Sequence, residues 1–141
     1  MRLFGRLAKR LKYPALASVP VSAAMLQRVE SVEVDQPLDE IARLFVAGRV
    51  AQVPVMDHGV AVGCVTRDAV AHALLASGPH ALVGAAPCTH VVTVAPSDAL
   101  GDVLAQLRAR PDSVAIVVDH GAPVGVLTED MLIAYQATLR A

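Results

Sequence analysis

Pro54-Val55-Met56-Asp57-His58-Gly59 is followed by Val62-Gly63-Cys64-Val65-Thr66-Arg67-Asp68. The same pattern returns as Ile116-Val117-Val118-Asp119-His120-Gly121, then Val124-Gly125-Val126-Leu127-Thr128-Glu129-Asp130. The offset is 62 residues (119 − 57) and needs no gap. From Val55 to Asp68 eight positions are identical in the second copy: Val55, Asp57, His58, Gly59, Val62, Gly63, Thr66 and Asp68. Upstream, Val21-Ser22-Ala23-Ala24 matches Val83-Gly84-Ala85-Ala86 at the same offset. An internal repeat sets the architecture before any single motif does. Neither copy alone hides enough apolar surface. Two copies packed sheet to sheet with pseudo-two-fold symmetry would close one shared core, with any pocket where they meet.

Working outward, each copy reads as strand, helix, strand, strand, helix. In the first, 31–34 is a short strand. Asp35 is expected to cap the next helix, and Pro37 suits its first turn. Leu38, Ile41, Leu44 and Phe45 fall on one helical face, and Gly48 ends it. Residues 51–56 form a strand of β-branched character. Asp57-His58-Gly59 is a tight turn with glycine where a positive φ is needed. Residues 61–65 return antiparallel. Thr66 opens a helix to about Ala76, stopped by Ser77-Gly78-Pro79. The second copy repeats this with a strand at 91–94, Ser97 as cap, and Leu100, Val103, Leu104 and Leu107 as the apolar face. Arg110-Pro111 breaks that helix. A hairpin spans 113–118 and 123–127, and Thr128 starts the last helix. Residues 21–27 and 82–86 read as matching lead-in turns. The fold class is therefore α/β, with a leader at 1–17 and repeats at 18–78 and 79–141.

A length of 141 residues suits one compact body. Hydrophobic residues make up 55% but aromatics only 3%, so the core must be aliphatic. The net charge of −1 gives no reason to expect nucleic acid as a partner. Charge is uneven, however. Arg2, Arg6, Lys9, Arg10 and Lys12 precede the first acid, Glu30. Leu3, Leu7 and Leu11 recur every fourth residue, so a helix there would carry an apolar stripe beside a basic face. Two readings stand: membrane-surface or membrane-protein contact through residues 1–13, or a solvated terminus. No apolar run approaches the ~20 residues that span a bilayer. Cys64 reads as a small core residue and Cys88 as a linker residue. Without a cysteine framework, a reducing cytoplasmic setting is expected.

The elements P-V-h-D-x-G-x-h-x-G-h-h-T (h apolar), ending a strand–helix–strand–strand–helix unit, resemble the cystathionine-β-synthase (CBS) domain. Their duplication over about residues 18–138 resembles a tandem CBS pair, or Bateman module. Val19-Pro20-Val21-Ser22-Ala23-Ala24-Met25, Gly78-Pro79 and Val83-Gly84-Ala85-Ala86 also look like the CBS pairs of site-2-type membrane zinc proteases. The protease motif H-E-x-x-H is absent, so this chain would be the regulatory part.

The CBS resemblance implies an adenosine-containing ligand, AMP, ATP or S-adenosylmethionine, in clefts between repeats. Its motif is G-h-h-T/S-x-x-D/N. The hydroxyl and helix start face the phosphate, the carboxylate holds the ribose, and apolar strand backbone holds adenine. Carried onto this sequence, it implies ligand contact by Thr66, Arg67, Asp68, Thr128 and Asp130, with Val53, Pro54, Val91 and Ala115 along the strands. Both copies depart from the motif. The acid stands two residues after Thr, not three, and the third position holds Ala69 or Met131. That turns the carboxylate by about 100° around the helix. The structural alternative is that Thr caps the helix and Asp complements its dipole, worth roughly 0.3–1 kcal/mol.

His58 and His120 each lie between Asp and Gly at a turn, and His72, His80 and His90 show no ligand spacing, so no metal is expected. Asp39-Glu40 and Glu129-Asp130 are helical neighbours that point apart, and no nucleophile elbow occurs. The reading is a non-catalytic module without a resident cofactor. Its homodimer would form through helices as apolar as 70–75 and 131–139. Two alternatives are a ligand-free dimerisation or docking module, and the cytosolic regulatory part of a membrane metalloprotease at the inner face of the membrane.

Overall fold

The computed structural model describes residues 13–25, 30–48 and 51–139. The expectation placed on the basic segment 1–12 lies outside the described residues. The chain forms two compact units. Each is a three-stranded sheet with two helices.

In the first unit, β1 (Val32–Glu33) pairs parallel with β2 (Gln52–Asp57), and β2 pairs antiparallel with β3 (Val60–Thr66). The crossover from β1 to β2 is helix α1 (Leu38–Ala47), and helix α2 (Arg67–Ser77) follows β3. The second unit holds β4 (Val91–Val94), α3 (Leu100–Ala109), β5 (Val114–Asp119), β6 (Ala122–Leu127) and α4 (Glu129–Leu139), with sheet order β4-β5-β6. Both hairpins shift register at the same place, between Val55 and Met56 and between Val117 and Val118. The duplicated sequence thus yields duplicated irregularities as well as duplicated elements.

The turns follow from local chemistry. Asp57 pairs directly with Val60, which leaves a two-residue loop, His58-Gly59. Both residues have positive φ, 49° and 83°. That is the turn whose twist matches the flanking strands. In the second hairpin His120 and Gly121 repeat it, at 53° and 77°.

Each unit has an aliphatic core, as the composition requires. Leu38, Ile41 and Phe45 of α1 pack with Val53, Val55 and Val65 of the hairpin and with Val70 and Ala73 of α2. Leu100, Val103, Leu104 and Leu107 of α3 pack with Ala115, Val117, Leu127 and Leu132. Burying each of the Val, Leu, Ile and Phe side chains contributes roughly 1.5–3 kcal/mol.

The lead-ins complete these cores, but crosswise. Tyr13, Leu16 and Val21, which lie ahead of β1 in the chain, are buried with α3 and α4 in the second unit. Val83 and Ala86, which lie ahead of β4 in the chain, are buried in the first unit. Two three-residue 3-10 turns, Val21–Ala23 and Val83–Ala85, hold the matching positions.

This exchange corrects the capping expectations. Helix α1 is preceded by Pro37 and α3 by Ala99, and neither start has a side-chain cap. Asp35 and Ser97 do not cap. Instead, Leu38 N–H donates to the Ala81 carbonyl at 2.8 Å and Asp39 N–H to the Pro79 carbonyl at 3.1 Å. In α3, Leu100 N–H donates to the Val19 carbonyl at 2.9 Å. The first N–H groups of a helix need partners from outside it. Here the lead-in backbone supplies them. Asp98 has a different local role: its carboxylate accepts from Ala95 N–H at 2.9 Å.

Candidate functional site

Helix α2 begins where β3 ends. Thr66 has extended backbone and its hydroxyl accepts from Ala69 N–H at 3.2 Å. Thr128 does the same for Met131 N–H, also at 3.2 Å. Both threonines are therefore helix caps, as the structural alternative required. The cap fixes the next two side chains, Arg67 and Asp68, on the first exposed turn of α2.

In the first unit that turn opens into a groove of about 880 Å³ between α1 and α2. Ala42, Phe45 and Val46 of α1 and Val70, Ala71 and Leu74 of α2 form its apolar walls. Thr66, Arg67 and Asp68 form its polar end, beside Gly48 and Ala51. A volume of this size lies within the range of small-molecule sites, and so does the mix of apolar walls with a few polar groups. The Arg67 guanidinium donates from Nη2 to the Phe45 carbonyl at 3.4 Å. The long bond leaves most of its donors available to a ligand.

The structure thus brings Thr66, Arg67 and Asp68 together. It places Val53 and Pro54 elsewhere, buried in β2. Neither lines the groove. Ala115 is buried in the core of the second unit, and Val91 is half-buried at the start of β4. Thr128 and Asp130 stand at the start of α4. There Glu129 replaces the arginine and lies 3.6 Å from Arg108 Nε. Ala42, Phe45, Ala71 and Leu74 were not expected at a site. In sequence they read only as helix faces, and nothing local says that two helices leave a gap between them.

The two hairpin tips pair acid with imidazole: His58 Nδ1 stands 2.6 Å from Asp57 Oδ1, and His120 Nδ1 2.9 Å from Asp119 Oδ1. The hydrogen bond to Asp57, reinforced by its charge, raises the His58 pKa above its usual 6.5. Among the described residues, no group of three or more His, Cys, Asp or Glu could hold a metal ion. Nor is any described helix long and apolar enough to cross a membrane.

Two βαββα units with matching bulges, turns and helix caps define a duplicated α/β module. The CBS domain model matches residues 21–76 and again 83–138, and the chain belongs to the CBS domain family. No curated protein matches the sequence. Solved structures do. The CBS domain of a CBS-domain-containing membrane protein from Sphaerobacter thermophilus is 25% identical, with TM-score 0.71 over 94% of this chain and 96% of that one. The CBS domain of a bacterial CNNM/CorC family Mg2+ transporter, in complex with ATP, is 19% identical, with TM-score 0.69 over 97% and 98%. CBSX2, in complex with AMP, is 22% identical, with TM-score 0.64 over 86% and 98%.

Proposed function

We propose that this CBS pair is a non-catalytic regulatory module that binds an adenosine-containing ligand, AMP, ATP or S-adenosylmethionine, through its first half. The observation that carries this reading is the groove between α1 and α2. It joins a cation, a carboxylate and a capped helix start to an apolar wall. Arg67 meets the anionic or carboxylate end of the ligand, Asp68 the ribose hydroxyls, and Phe45 with Leu74 the base. The same fold holds ATP in the CNNM/CorC transporter domain and AMP in CBSX2, which supports the ligand class. Binding acts by population shift: the ligand favours the conformation that presents the groove and passes that bias to a partner. A thermal-shift series with the three ligands tests it. At about 100 times its Kd, a ligand adds ~2.7 kcal/mol, or roughly 5–10 °C in Tm for a chain of this size. No shift with any of them ends the reading.

A second reading is a ligand-free dimerisation or docking module, extending to the cytosolic regulatory part of a membrane metalloprotease at the inner membrane face. Val46 and Leu75, on the same two helices, favour it: they are 89% and 88% exposed. Light scattering of Val46→Asp and Leu75→Asp against the parent chain tests it. A dimer that survives both changes argues against this surface.

A further inference from the structure

We infer that the lead-in at 13–25 is exchangeable between copies of this chain: the seat it fills on the second unit takes the same segment of a second copy and joins the two as a swapped pair. Nothing in the exchange uses the groove or the helices α1 and α2, so it goes beyond both readings above. It follows from how the chain is connected. The first unit is a single continuous stretch, 29–91, while the second is assembled from two, the segment ahead of β1 and 92–141. The whole of the first unit therefore lies, in sequence, between the two parts of the second.

Neither part makes the second core alone. Tyr13, Leu16 and Val21 are buried in one cluster with Leu100, Leu104 and Leu132. The seat is shaped in backbone as well. Pro20 and Ala99 are bridge partners, and Leu100 N–H donates to the Val19 carbonyl at 2.9 Å. Gly101 of α3 meets the lead-in with no side chain: a Cβ there would stand 3.3 Å from the Tyr13 carbonyl oxygen. This seat recognises the segment, not the copy it belongs to, because a second copy's lead-in makes every one of these contacts unchanged. Exchange of an identical element therefore needs no new interface. The other lead-in, with Val83 and Ala86, lies inside the continuous stretch that builds its own unit. Its passage to another copy would carry β4 to α4 with it. The segment 13–25 displaces no element of the first unit when it leaves; only the chain between Met25 and β1 takes a new course. A chain's own lead-in competes with an effective concentration on the order of mM. Protein concentration during folding thus sets the swapped share. Once formed, the pair persists, because separation requires the second unit to open.

A disulfide across the bridge reads which copy supplies the lead-in. Pro20→Cys and Ala99→Cys are placed in the full chain with Cys64→Ala and Cys88→Ala. Both new positions are exposed or half-buried. Bridge partners stand about 4.5–5.5 Å apart at Cα, within disulfide reach. The reduced protein is refolded from urea at concentrations from about 10 µM to about 1 mM, diluted to one low concentration, and only then oxidised. Cross-linked pairs on a non-reducing gel are expected to rise from roughly 1% of chains to roughly half across that range. Light scattering of the parent chain, refolded in the same way, shows the same rise in dimer, which covers any loss of folding in the cysteine variant. Val46→Asp and Leu75→Asp leave the cross-linked share unchanged, which separates exchange from pairing through α1 and α2. An intrachain bond alone at every concentration, with no rise in dimer, overturns the inference. A cross-linked share abolished by Val46→Asp or Leu75→Asp assigns the pairing to that face and overturns it too. A bond in neither form overturns the seat itself, and the exchange falls with it.

Discussion

The backbone N–H of Val21 donates to the carbonyl of Asp98 at 2.8 Å, tying the segment ahead of β1 into the second unit. Its counterpart is Val83 N–H to Gln36, also at 2.8 Å. Ser22 to Pro96 at 3.0 Å is matched by Gly84 to Val34 at 3.2 Å. Every partner is displaced by 62 residues (83 − 21, 98 − 36), so the exchange is itself part of the repeat. Each half depends on backbone and side chains from the other half of the sequence, which couples their folding. Leu16 is fully buried in the second unit. Leu16→Ala is expected to cost about 2–5 kcal/mol. Hydrogen exchange tells where: amides of β5, β6 and α3 lose protection before those of β2 and β3. Val83→Ala reverses the order. Equal loss in both units after either change would contradict the crosswise assignment.

The hairpin glycines receive the lead-ins. A Cβ on Gly63 would lie 2.5 Å from the Cβ of Cys88, and one on Gly125 would lie 2.9 Å from the Cβ of Met25. Gly63→Ala is expected to destabilise by roughly 1–3 kcal/mol, since the contact is to a Cβ that no rotamer change moves. Cys88→Gly removes that atom and should recover much of the loss, whereas Cys88→Ala should not. Urea midpoints of the singles and doubles read this directly. Recovery by Cys88→Ala would place the clash on the sulfur instead.

The repeat, the hairpins and the helix faces were legible because they rest on local chemistry. Asp57-His58-Gly59 demands a primed turn, and Leu100, Val103, Leu104 and Leu107 recur with helical spacing; all four leucine and valine side chains are buried. The helix caps at Asp35 and Ser97 were misread because the true partners, the Ala81 and Val19 carbonyls, lie far along the chain. Backbone carbonyls carry no residue signature. The groove was half legible. Thr66, Arg67 and Asp68 stood out from their motif, while Ala42 and Ala71 line it only because α1 lies beside α2.

His58 supplies a test of the hairpin geometry. Its ring is held by the Asp57 carboxylate at 2.6 Å, which raises its pKa above 6.5, with smaller help from the charges of Glu33 and Asp35. Asp57→Asn should bring the titration midpoint down toward the ordinary value in an NMR titration of the ring protons. Glu33→Gln should move it less. An unchanged midpoint in Asp57→Asn would mean that the pair does not persist in solution.

The two thiols should behave differently because of the sheet. Cys64 N–H donates to the Thr89 carbonyl at 3.2 Å and Thr89 N–H donates back at 2.7 Å, so these two residues are bridge partners. Bridge partners share a face and their neighbours take the other. Cys88 therefore sits against Gly63, on the face away from Cys64, and both thiols are free. Burial, and secondarily the charge of Cys88, pushes the Cys64 thiol up to about 12 from an ordinary 9.0. Cys88 is exposed, and partial burial of its thiol raises its pKa as well. Iodoacetamide at pH 8 should label Cys88 slowly and Cys64 only after unfolding. The same shift makes stability depend on pH. Above pH 9 the unfolded chain releases the Cys64 proton while the folded chain keeps it, so the unfolded state binds fewer protons and stability falls as pH rises toward 12. The slope contributed by this one group is at most about 1.4 kcal/mol per pH unit. Cys64→Ala should flatten the fall in urea midpoint between pH 9 and 11, at some cost in packing at neutral pH. A fall of the same steepness in the variant would assign it to other groups.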